Sequence, residues 1–219
     1  MKTIKLNLFA FFLFILASLF SCSSDKQEEK GMPTEDSNEP NEEELLQIGI
    51  QKLGNWVAFW EAKGTNFSLE NFEPKQEHQY EVVESPGKNV LSDQNPLRGY
   101  QIPNPVNKGV VDIYDYKMVV DQNNQVDLNP DAEVVYYKEN GMRERLLFMG
   151  PSGIFEDAVW ISETHLMVSG HIQNEDGFVP VLWMIIPEKQ TYWIYESKHS
   201  TQEYFPESYL KQKLKGLKF

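Results

Sequence analysis

Apolar positions fall into one long run followed by many short ones. Leu6 to Phe20 is almost unbroken Leu, Phe, Ala and Ile, interrupted by Asn7 and Ser18, preceded by Lys2 and Lys5 and stopped after Cys22 by Ser23, Ser24 and Asp25. A bilayer core needs about 20 apolar residues, so this run is short for a spanning helix and has the charge-then-grease order of a secretion signal. Residues 22–44 carry almost nothing apolar. From Leu45 onward the pattern changes to short runs rich in β-branched and aromatic residues: Val110–Val120, Val134–Lys138, Arg143–Met149, Ala158–Ser162, His165–Ile172, Phe178–Ile186 and Thr191–Glu196. Bounded by turn residues, such runs predict strands, and their close spacing predicts an antiparallel meander. Asn140-Gly141 reads as the two-residue type I′ turn of a hairpin. Val179 to Ile186 is apolar at successive positions apart from Pro180, which predicts a central strand covered on both faces.

Both ends of this region need separate readings. Leu46, Ile50, Leu53, Val57 and Trp60 fall at helical spacing, and Asn41 with Glu44 could form a capping box. Against a helix stand Gly49 and Gly54, each costing about 1 kcal/mol relative to alanine. A hairpin of Leu46–Leu53 and Trp56–Glu61 around Gly54-Asn55 is therefore the expectation. At the other end, Pro206 and Glu207 lead and Lys211 and Lys213 follow, an order that suits a short helix and its dipole. Within the strands, Val135-Tyr136-Tyr137 and Leu146-Leu147-Phe148 recur 47 positions later as Leu182-Trp183-Met184 and Trp193-Ile194-Tyr195. That period lies in the range of propeller blades, roughly 40 to 50 residues, and Ala158–Glu196 resembles one blade. The fold class expected is mainly β, an antiparallel meander in propeller-like or sandwich-like sheets with a short C-terminal helix, as one domain over residues 45–219.

Leu19-Phe20-Ser21-Cys22 resembles the lipobox of bacterial lipoprotein signal peptides, and the chain as a whole resembles small bacterial lipoproteins with propeller-like or meander domains. The resemblance implies that residues 1–21 are a signal peptide cut before Cys22, that Cys22 is acylated, with palmitate among its lipids, and that the protein attaches to a membrane, the outer membrane of the cell envelope, through that lipid. The alternative is an uncleaved N-terminal anchor. One acyl chain holds a protein marginally and two hold it stably. Residues 22–44 hold nine acidic and two basic residues with Gly31, Pro33 and Pro40, which reads as a disordered acidic tether. The segment Ser23–Glu29 also resembles the Lys- and Glu-rich export tags of some outer-membrane lipoproteins, with a plain solvated linker as the alternative.

Charge and composition narrow the chemistry. Twenty basic residues stand against 33 acidic ones, and such a surface repels nucleic acid. Cys22 is the one cysteine, so the expected domain has none with which to form a disulfide. Asp121 to Gln125 begins like a calcium loop, but Val126 occupies the position that needs glycine. His165 and His171 share a strand face too far apart to chelate one ion alone, so no metal or other cofactor is expected. Gly150-Pro151-Ser152-Gly153 lacks the last glycine of a nucleophile elbow, and Glu156-Asp157 is half of a carboxylate pair at best. No catalytic residue is assigned. What remains is an excess of aromatic residues, from which Trp56, Trp60, Trp160 and Trp193 are the candidate binding platform, large rings filling a core being the competing explanation. The function expected is a non-catalytic binding or scaffold domain, its partner a glycan, a peptide or an envelope protein. The alternative is a surface hydrolase acting on polysaccharide or peptide, with Ser152, Glu156 and Asp157 as its candidates.

Overall fold

The computed structural model describes residues 40–74, 77–87, 91–204 and 208–219. The expectations for the signal peptide, for Cys22 and for residues 22–39 of the tether lie outside these residues, as do Pro206 and Glu207 at the start of the C-terminal run. All described residues belong to one compact unit, Glu39–Phe219.

Two helices open it, α1 (Glu42–Lys52) and α2 (Gly54–Glu61), followed by three short strands, β1 (Phe72–Pro74), β2 (His78–Gln79) and β3 (Glu84–Pro86). Next come β4 (Ile102–Pro103), β5 (Gly109–Asp112), β6 (Met118–Val120) and β7 (Val126–Leu128). The long strands are β8 (Ala132–Lys138), β9 (Met142–Met149), β10 (Gly153–Trp160), β11 (Leu166–Asn174), β12 (Gly177–Ile186) and β13 (Thr191–Ser197), and α3 (Tyr209–Lys213) follows. The protein is mainly β, with antiparallel sheets and a short C-terminal helix, as the pattern of short runs predicts.

The first sheet has the order β1-β13-β12-β11-β10, with β2 also on β13; the second has the order β3-β9-β8-β5-β4; β6 and β7 form a separate pair. Val168, Val181, Trp183 and Ile185 of the first sheet share a core with Val111, Val134, Tyr136 and Leu146 of the second, so the sheets stack face to face. Met167, Leu182, Met184 and Tyr195 point the other way, into a core closed by Leu46, Ile50, Trp56 and Trp60 of the helices. β12 is thus covered on both faces, and its near-continuous apolar sequence follows from that. Pro180 is tolerated because pairing with β13 begins only at Val181, while Phe178 bonds to Thr201 on the same side. The missing N–H of Pro180 falls in the gap between them. Among the described residues no sheet closes on itself, and the propeller reading gains no support from this stacking; the copies at an offset of 47 are hairpins in different sheets.

Two local expectations are corrected. Residues 46–61 form helices and not a hairpin. The capping box forms, with Glu44 N donating to Asn41 Oδ1 and Asn41 N to Glu44 Oε2, both at 3.0 Å, so α1 already begins inside the stretch read as tether. Gly49 is no defect in this helix: a Cβ there would lie 2.6 Å from Met167 Cε, so its absence lets α1 approach the sheet. Gly54 starts α2 directly after Leu53, which ends α1, and the two glycines serve contact and junction. The second correction concerns the β8–β9 turn. Gly141 N donates to Lys138 O, Gly141 alone has positive φ (83°), and Asn140 does not. This is a turn closed by a left-handed glycine, the longer hairpin loop and not type I′.

Candidate functional site

Consecutive residues of a strand point to opposite faces, yet Glu156 and Asp157 both face the helices. The cause is a bulge in β10: Phe155 pairs with Gly170 and Asp157 with Ser169, leaving Glu156 as the extra residue. Glu156 is fully buried. Its Oε2 accepts from Trp56 Nε1 at 2.7 Å and from Trp60 Nε1 at 3.2 Å, two indoles one helical turn apart on α2. Its Oε1 accepts from the Tyr204 hydroxyl and lies 3.2 Å from His171 Nδ1. Burial first, then the Glu156 charge, pushes the Tyr204 phenol well above its ordinary range, so it stays a donor.

Asp157 is bound as fully. It accepts from the Tyr209 hydroxyl at 2.5 Å and from Lys213 Nζ at 2.7 and 2.8 Å, which fastens α3 to the edge strand. Burial and then the Asp157 charge raise the Tyr209 phenol likewise. The two acids therefore act as internal anchors, with their acceptor capacity used by the protein itself. Read from the sequence as one half of a carboxylate pair, both acids are committed to donors of the protein itself. Ser152 lines a cavity beside α3 together with His171, but the hydrogen bond of His171 goes to Glu156.

The aromatic platform is dispersed. Trp56 and Trp60 have no exposed surface at all and belong to the helix-side core. Trp193 is half-buried and packs on that same core, because its neighbour Tyr192 occupies the opposite face. No row of four exposed rings exists. Trp160 is also buried, at 5 % exposure, and it lines a cleft. That cleft, of about 580 Å³, opens where the β10–β11 turn, the β8–β9 hairpin and the β12–β13 connection meet.

Trp160 and Tyr136 meet edge-to-face in this cleft, ring centroids 5.7 Å apart. Around them stand Asn104, Asn140, Thr164 and Glu163, with the cations Lys108 and Lys138. Both cations are already neutralised: Lys108 pairs with Glu188 at 2.6 Å, and Lys138 lies between Glu84 and Glu144. Burial opposes the charge on Lys138, but those two carboxylates keep its pKa above the ordinary lysine value. The Trp160 indole nitrogen is buried and has no hydrogen-bond partner. A buried polar group without a partner costs about 1–3 kcal/mol, so this N–H is an uncompensated cost of the packing beneath the cleft. Sequence reasoning singled out Trp160 but not Tyr136 or the polar rim, since those come from separate loops with no shared motif.

The other chemical candidates resolve simply. Asp121 closes the β6–β7 hairpin by accepting from Asn123 N at 2.7 Å and Gln125 N at 2.8 Å, bonds that hold its pKa below the ordinary carboxylate value. His165 Nδ1 lies 2.9 Å from Thr164 Oγ1. Among the described residues no three of His, Cys, Asp and Glu gather as a metal site, and no described helix is long and apolar enough to cross a membrane. Comparison with protein-family models, curated proteins and solved structures finds no match.

Proposed function

We propose that the chain is a lipoprotein of the cell envelope, held at the outer membrane by lipid on Cys22, whose domain binds a glycan in the Trp160 cleft without catalysing a reaction. The carrying observation is the edge-to-face pair of Trp160 and Tyr136 in a cleft rimmed by amide, hydroxyl and carboxylate groups. A sugar offers apolar C–H faces to rings and hydroxyls to such a rim. Because the rim ammonium groups are paired internally, the cleft asks for no charge on its ligand, which favours a neutral polyhydroxylated one over a charged peptide. The anchor rests on the leader, on the Leu19–Cys22 lipobox resemblance and on the acidic segment behind it.

Binding of the full chain to a glycan array tests the cleft. Trp160→Leu keeps an apolar side chain and removes the ring, and is expected to weaken any captured glycan about tenfold, the scale of one lost ring–sugar contact. Silence of the wild type on the array, or equal binding by the variant, removes the reading. The anchor is tested separately by metabolic palmitate labelling of cells expressing the chain: label on wild type and none on Cys22→Ser is expected, and equal labelling refutes it.

A further inference from the structure

A second cavity, of about 430 Å³, lies at the Gly153–Ile154 end of β10, beside α3 and the β6–β7 pair, and part of its wall is apolar, with Val126, Leu128, Ile154, Phe178 and Leu210. Two lysines interrupt this lining, and one of them is buried. Lys117 is only 6 % exposed, and its Nζ makes one hydrogen bond, to the Pro130 carbonyl at 2.9 Å. An ammonium has three donors, and no carboxylate among the described residues lies within salt-bridge distance of this one. Buried charges are ordinarily paired. Burial lowers the Lys117 pKa and the more distant Asp131 acts against that. The exposed Lys211 also lines the cavity, while His171 and Tyr204 on its wall are bonded to Glu156.

We infer that this cavity binds an apolar monocarboxylate, its hydrocarbon body among the aliphatic side chains and its carboxylate on the Lys117 ammonium. The volume is within the range of small-molecule sites, about 300–1,000 Å³. The carboxylate supplies what the fold leaves out: a counter-charge for a cation withdrawn from water. A neutral apolar molecule would fill the same space and leave the cation as it is. A phosphate or other small anion would pair the cation and leave the apolar wall empty. The site shares no residue with the Trp160 cleft and does not depend on the glycan reading.

Equilibrium dialysis of the full chain against radiolabelled decanoate below its micellar concentration tests the site, with decanol as the neutral counterpart. Saturable binding of decanoate is expected, about tenfold or more tighter than decanol, and about tenfold or more weaker in Lys117→Met, since a desolvated charge pair is worth at least that factor. Leu128 is 45 % exposed, so Leu128→Asp leaves the core intact while setting a like charge on the wall, and it should reduce binding by a similar factor even if the Lys117 variant does not fold. Absence of a saturable component, equal affinity for decanol, or a folded Lys117→Met that binds like wild type would each overturn the inference.

Discussion

Glu156→Ala loses about 3–5 kcal/mol of stability in denaturant titration, enough to bring a domain of ordinary stability, about 5–15 kcal/mol, close to unfolding. The lost carboxylate is not itself the main reason. Trp56 and Trp60 have no exposed surface, and with Tyr204 and His171 they all direct hydrogens at this one group. Removing it leaves those donors in a dry core with nothing to accept them, and each unmade bond costs more than a made one contributes. The same group joins α2 to β10 and β11 and to the segment at Tyr204, so its loss loosens the packing of the helix layer on the sheet. Glu156→Gln keeps one acceptor oxygen but turns an amide nitrogen toward other donors, and should fall between wild type and alanine. An alanine variant with an unchanged unfolding midpoint would mean that the network contributes little.

Gly170→Ala is expected to cost about 3 kcal/mol, the upper part of the range for forcing atoms into a filled interior. Gly170 stands opposite the bulge of β10, where a Cβ would lie 2.1 Å from the Ile154 carbonyl oxygen and 3.1 Å from Phe155 Cα. Both are backbone atoms of the strand it pairs with, so relief requires the strands to separate at the point that positions Glu156 and Asp157. Gly54→Ala is the control. An added methyl meets nothing there, the position is helical, and the change should be neutral or stabilising by up to about 1 kcal/mol. Thermal unfolding of the two variants distinguishes them; equal shifts would show that the bulge has slack.

The strands were legible because their signal is local. Val134–Lys138, Arg143–Met149 and Phe178–Ile186 each carry enough β-branched and aromatic residues to specify extended chain, and turn residues separate them. The continuous apolar run of β12 even announced its two covered faces. The helices α1 and α2 are not legible in the same way, for a reason equally physical. Gly49 was charged its propensity cost without its return, the close approach to Met167, a residue more than a hundred positions away. In the Trp160 cleft, one ring could be named from composition, but Tyr136, Asn104 and Thr164 arrive there through different connections, and only their packing makes them neighbours.

Alone, the amino-acid order determined the mainly β class, the long strands β8, β9 and β11 to β13 in their order along the chain, and the central place of β12. Those properties depend on neighbours within a few residues, where side-chain periodicity and turn chemistry act directly. Tertiary packing alone decided that all four tryptophans belong to the core or its margin, that Glu156 anchors α2 to the sheet, and that Lys117 is withdrawn from water beside a cavity with a partly apolar wall. Each of those outcomes turns on which distant group supplies or withholds a partner: Trp56 finds Glu156 one hundred residues along the chain, a distance at which no local pattern records who will meet whom.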